Sequence, residues 1–110
     1  MGQIWESFRQ LLRPNDNPRH WSVGISEQGR YGSVTYRDPA GSLSFYWEFG
    51  GGTTVASITV GDEAEWREKH PWAAGRRAEI LRRVADEVIR QKAPSSRAEI
   101  DDQRGFINIC

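Results

Sequence analysis

Residues 43–49 read LSFYWEF, and their alternation decides the fold class. Leu43, Phe45, Trp47 and Phe49 fall on one side of an extended chain, and Ser44, Tyr46 and Glu48 on the other. A strict period of two is the mark of a half-buried strand. The same alternation recurs upstream. In WSVGIS, Trp21, Val23 and Ile25 alternate with small residues, and in SVTYR, Val34 and Tyr36 share a side. Downstream, TTVASITV sets Ala56, Ile58 and Val60 on one face. The intervening EQGRYG and DPAG are turn chemistry, with proline pre-set in the second. Four strands joined by short connections predict an antiparallel meander.

At residue 61 the period changes. GDEAEWREKH carries Asp62 and, three residues on, Glu65, which is the spacing of a capping box. Pro71 stops or bends that short helix. Residues 72–92, WAAGRRAEILRRVADEVIRQK, predict a longer helix with a buried stripe of Ile80, Leu81, Val84, Val88 and Ile89. Its outer side predicts the i,i+4 pairs Glu79–Arg83, Arg82–Asp86 and Asp86–Arg90. Ala93-Pro94 ends it. AEI, the turn DDQRG and FINI then read as one or two short closing strands. Before the meander, Ile4, Phe8, Leu11 and Leu12 lie on one face of a predicted N-terminal helix over 3–13, closed by Pro14. Residues 14–19, PNDNPR, are loop chemistry.

Strands and helices are thus segregated along the chain. The expected architecture is one α+β domain over 1–110: an N-terminal helix, a four-stranded antiparallel meander, a helical pair with the long helix on one sheet face, and a short C-terminal strand. Strand order is open, because a C-terminal strand can pair with either edge.

Composition narrows the function. Of 110 residues, 37% are hydrophobic and 27% charged, so the chain can bury a core without being a membrane segment. Lys+Arg and Asp+Glu balance at 15 each, which argues against a nucleic-acid binder or an anionic-membrane binder. Cys110 is the one cysteine, so neither an intramolecular disulfide nor a cysteine-based zinc site is expected. MGQIWES places Glu6 where myristoylation needs Ser or Thr, and Cys110 stands too late for a prenylation box. With no apolar signal-peptide core, the expected location is cytoplasmic.

The chemical motifs are weak. Gly50-Gly51-Gly52 lacks the spacing of a dinucleotide fingerprint and is followed by strand periodicity, so a hairpin loop or a glycine bulge is the better reading. GISEQG misses the hydrolase elbow by one residue. His20 and His70 each stand beside an element boundary, where a solvent or capping role is the ordinary one. Asp101 and Asp102 suit a turn, and DDQRG is too short for a calcium loop. The six basic groups between 76 and 92 have three acids among them and predict a salt-bridged solvent face.

What remains is a surface. Tyr46 and Glu48 project from the outer side of the third strand beside Val55, Ser57 and Thr59, and Trp66 and Trp72 flank a proline-broken elbow. Most of the five tryptophans suit the core, with one or two partly exposed. The expected function is a small cytosolic protein-binding domain without catalytic activity, of interaction, inhibitor or toxin-neutralising immunity type. Its candidate binding residues are Tyr46, Glu48, Trp66 and Trp72, and no cofactor or metal is expected. The alternative is a small-ligand binder or modest enzyme, with Glu48, Tyr46 and one histidine converging in a pocket between sheet and long helix. A homodimer through a sheet edge or open face is compatible with either.

Overall fold

The computed structural model describes residues 20–110. Its chain order is β1 (Ser22–Glu27), β2 (Tyr31–Asp38), β3 (Gly41–Phe49), β4 (Ala56–Thr59), α1 (Glu63–Lys69), a 3-10 turn (Pro71–Arg76), α2 (Arg77–Lys92), β5 (Ala98–Asp101) and β6 (Phe106–Ile109). The N-terminal helix expected over 3–13 lies outside the described residues.

The strands form one antiparallel sheet of six, ordered β1-β2-β3-β4-β6-β5. The sheet is larger than the four-stranded meander with a short closing strand expected from sequence. DDQRG is a tight turn: Asp101 Oδ1 accepts from Arg104 N at 3.0 Å, and Gly105 takes φ 79°. It folds AEID back on FINI as a hairpin. β6 then pairs with β4, Ser57 opposite Asn108 and Ile58 opposite Ile107. β4 is also shorter than TTVASITV suggests. Residues 50–55 form a loop, in which Thr54 N reaches Gly51 O at 3.1 Å and Gly52 takes φ 63°.

α2 covers one sheet face. Its buried stripe is Ile80, Leu81, Val84, Ala85 and Val88, while Ile89 is half-buried. Facing it are Val23, Val34, Tyr36, Leu43, Phe45, Trp47, Ile58, Ile107 and Ile109. Each fully buried aliphatic side chain contributes about 1.5–3 kcal/mol relative to exposure. The α1 capping box is present: Glu65 N donates to Asp62 Oδ1 at 2.9 Å, and Asp62 N to Glu65 Oε1 at 3.1 Å.

The long helix begins at Arg77, not at residue 72. Pro71 supplies no N–H, and the chain winds more tightly there, Ala73 N bonding His70 O at 2.9 Å. The Ala73 carbonyl accepts the Trp66 indole N–H at 2.8 Å. Trp66 is therefore 0% exposed and stacks on Phe45, ring centroids 5.9 Å apart.

On α2, the pairs Arg83–Glu79 (2.8 Å) and Arg82–Asp86 (3.3 Å) form as expected. Arg90 pairs with Glu87 instead of Asp86. No described helix is long and apolar enough to cross a membrane.

Candidate functional site

The sheet face opposite α2 has no described element over it. Alternation brings Ser22, Ser26, Ser33, Thr35, Ser42, Ser44, Ser57 and Thr59 to that face. Many of these polar groups already have partners. Ser26 and Ser33 hydroxyls lie 2.8 Å apart, Thr35 and Ser44 3.3 Å, and Ser57 donates to Asn108 Oδ1 at 2.9 Å. Such a surface can be covered with little loss of hydrogen bonding.

One end of this face is aromatic. Tyr31 opens β2 directly after the β1–β2 turn, where Gln28 N bonds Tyr31 O at 2.7 Å. Register sets Tyr31 opposite Glu48 and Ser33 opposite Tyr46. The two tyrosines are thus diagonal neighbours, which places long side chains within reach. Their rings stack at 6.1 Å and 30°. Tyr31 is 47% exposed and Tyr46 48%. The Tyr46 hydroxyl donates to Glu48 Oε1 at 2.9 Å. That bond to a carboxylate, with a smaller contribution from burial, pushes the phenol above its ordinary value.

The core side of the same end is also apolar and open. Phe49 keeps the core-facing parity expected of it, yet it is 42% exposed. It meets Trp47 edge-on at 5.2 Å, with the Arg30 guanidinium 5.9 Å from its ring. Val55, in the loop after β3, is 46% exposed. Among the described residues, the large exposed hydrophobic side chains are Tyr31, Tyr46, Phe49 and Val55, and all four gather here. Behind Phe49 runs an apolar groove of about 210 Å³, lined chiefly by Ile25, Val34, Trp47, Val55 and Val88. Lys92 Nζ bonds Glu27 Oε1 at 3.3 Å on its rim.

Of the four residues singled out from sequence, Tyr46 and Glu48 belong to this site. Trp66 is enclosed in the core and offers no contact surface. Trp72 is half-buried elsewhere, its ring against Gly41, where an added Cβ would stand 2.8 Å from Cε2. The triple glycine is a loop beside the site. Tyr31 is not singled out by the sequence because EQGRYG reads as one turn; only the β2–β3 register, which sets it opposite Glu48, brings it beside Tyr46.

The convergence required by the pocket alternative is absent. Tyr46 and Glu48 point away from α2, His70 packs against Trp66 (5.2 Å) and Phe45 (6.5 Å), and His20 is exposed. Burial, assisted by Lys69, holds His70 below its ordinary value. Among the described residues, no three His, Cys, Asp or Glu side chains are grouped to hold a metal ion.

A second polar cluster lies at the opposite end of the sheet. The Tyr36 hydroxyl donates to Asp38 Oδ2 at 2.7 Å and accepts from Arg83 Nη1 at 2.8 Å. Arg76 reaches Asp38 at 2.9 Å and Glu79 at 3.2 Å, and Arg83 reaches Glu79 at 2.8 Å. Two cations thus meet two anions in a closed set, which ties α2 to the β2–β3 turn and leaves no charge over for a ligand.

Comparison with protein-family models, with curated proteins and with solved structures gives no match.

Proposed function

We propose that the protein is a docking domain of interaction or inhibitor type, which binds another protein through the aromatic end of its open sheet face. The observation that carries this reading is the stacked, half-exposed Tyr31–Tyr46 pair with Glu48 beside it. Tyrosine gives a large contact area and a polar tip with few torsions to freeze. Stacking and the bond to Glu48 hold the pair in place before contact, which lowers the ordering cost of binding. The hydroxyl-rich strands around it form a polar rim, as in protein interfaces generally. A fitting partner presents a flat apolar patch and a cation that meets Glu48.

A toxin-neutralising immunity protein is one form such an inhibitor takes. A cytoplasmic setting goes with this reading, since it keeps the lone thiol of Cys110 reduced. The alternative of a small ligand held by Tyr46, Glu48 and a histidine has less support, because those side chains lie on different faces. The test is affinity capture from the source lysate with the wild type and with Tyr31→Ala/Tyr46→Ala. One partner at near-equal amount, lost in the double variant, supports the reading. A partner retained equally by both, or no partner, counts against it.

A further inference from the structure

One local pattern occurs twice in the sheet. A tyrosine and an acid stand two residues apart on a strand, and the phenol donates to the carboxylate. On β2, Tyr36 donates to Asp38 Oδ2 at 2.7 Å; on β3, Tyr46 donates to Glu48 Oε1 at 2.9 Å. Arginine completes the first pair. Arg76 reaches Asp38 at 2.9 Å, and Arg83 donates to the Tyr36 hydroxyl at 2.8 Å, its guanidinium 5.0 Å from the Trp21 ring. Arg77 combines the same two contacts, bonding Asp102 and lying 5.9 Å from the Trp66 ring. The second pair differs. Among the described residues, no cation comes within ion-pair distance of Glu48. Arg30, which precedes Tyr31, lies instead 5.9 Å from the Phe49 ring.

We infer that Tyr31, Tyr46 and Glu48 form an arginine socket. The protein partner proposed above anchors there through one arginine, which brings to Tyr46 and Glu48 the guanidinium that Arg76 and Arg83 bring to Asp38 and Tyr36. This rests on the docking reading and names its anchor.

The chemistry of the cluster selects arginine. Register places Glu48 between Tyr31 on one side and Ser57 on the other. Ser57 gives its hydroxyl proton to Asn108, so it does not occupy the carboxylate. Tyr46 takes one lone pair of Oε1, and the rest of the carboxylate can accept a forked donor. The half-exposed tyrosine faces beside it suit a flat cation. A guanidinium offers both the fork and the plane and sheds water readily, whereas an ammonium meets only the charge. An acidic partner would be repelled by Glu48.

Amide NMR titration of the full-length protein tests this with two capped tripeptides, acetyl-LRL-amide and acetyl-LKL-amide. The arginine peptide should shift Tyr31, Tyr46, Glu48 and Ser57 and bind about threefold to fivefold more tightly than the lysine peptide. Glu48→Gln, which still accepts the tyrosine hydrogen bond, should abolish that preference. Glu68→Gln, at an exposed acid of α1, should leave it intact. Equal affinities, shifts centred elsewhere, no shifts, or a preference that survives Glu48→Gln would overturn the inference. Lysate capture with Glu48→Lys separates it from the docking reading. A partner lost with Tyr31→Ala/Tyr46→Ala but retained by Glu48→Lys keeps the docking reading and removes the arginine anchor. A partner lost with both supports the anchor, and a capture that yields no partner overturns both.

Discussion

The indole nitrogen of Trp47 donates to the Ser26 carbonyl, 2.9 Å away, and its path crosses the bare backbone of Gly32. A Cβ on Gly32 would stand 1.9 Å from Ser26 O and 2.8 Å from Trp47 Nε1. Neither neighbour can yield cheaply, because one is backbone and the other is buried in the core. Gly32→Ala should therefore cost at least about 1–3 kcal/mol by urea unfolding. Gly51→Ala, where nothing lies within 4 Å, should stay within about 0.5 kcal/mol. Equal midpoints for the two variants would refute this account of Gly32.

Asp38 sets an acid limit on stability. Burial of its carboxyl, 4% exposed, works to raise its pKa. Hydrogen bonds from Tyr36, Ala40 N and Arg76 outweigh this and hold it below the ordinary 3.8. A pKa lower in the folded state than in the unfolded one stabilises the fold fully above the unfolded value. That stabilisation is lost as pH falls through the folded value. Unfolding titrations from pH 6 to about pH 2 should show a loss below pH 4 that Asp38→Asn flattens. Tyr36→Phe should cost about 1–2 kcal/mol at neutral pH, since it removes one hydrogen bond to a carboxylate and one from Arg83.

Val84 is 0% exposed at the centre of the helix–sheet contact. Val84→Asp should destabilise the fold by about 3–5 kcal/mol, because the new charge has no partner there. Far-UV dichroism with thermal melting reads the result. A cooperative melt near the wild-type midpoint would contradict the packing described above.

Tyr46 should ionise above the ordinary tyrosine value because its proton is held by Glu48. Glu48→Gln removes that charge and should lower the Tyr46 titration midpoint, as followed by the ring-carbon NMR signal. An unchanged midpoint would mean that the pair is not held together in solution.

The alternation in LSFYWEF and SVTYR marked which side chains face α2, and the stripe Ile80–Leu81–Val84–Val88 marked the covering helix. These are local periodicities, fully present in one stretch of chain. Strand order was not legible, because the pairing of β6 with β4 joins Ser57 to Asn108 across the whole helical segment. Phe49 kept its parity but not its burial, since burial depends on what packs over a residue and not on local alternation. Trp66 looked exposed beside Pro71, yet the 3-10 turn folds its carbonyl onto the indole. Tyr46 and Glu48 were legible as outward residues. Tyr31, which completes the site, became visible only once the register was known.

The place of β6 has a kinetic consequence. Until residues 106–109 arrive, β4 exposes an unpaired edge in the middle of the final sheet. Contacts of such large sequence separation form late, after the meander and helix can already assemble. Folding should thus pass through a body made of the four-stranded meander and its helices with an open β4 edge, the kind of edge that recruits other chains. A nascent chain arrested before Phe106 should be aggregation-prone, and its release should coincide with the last pairing step.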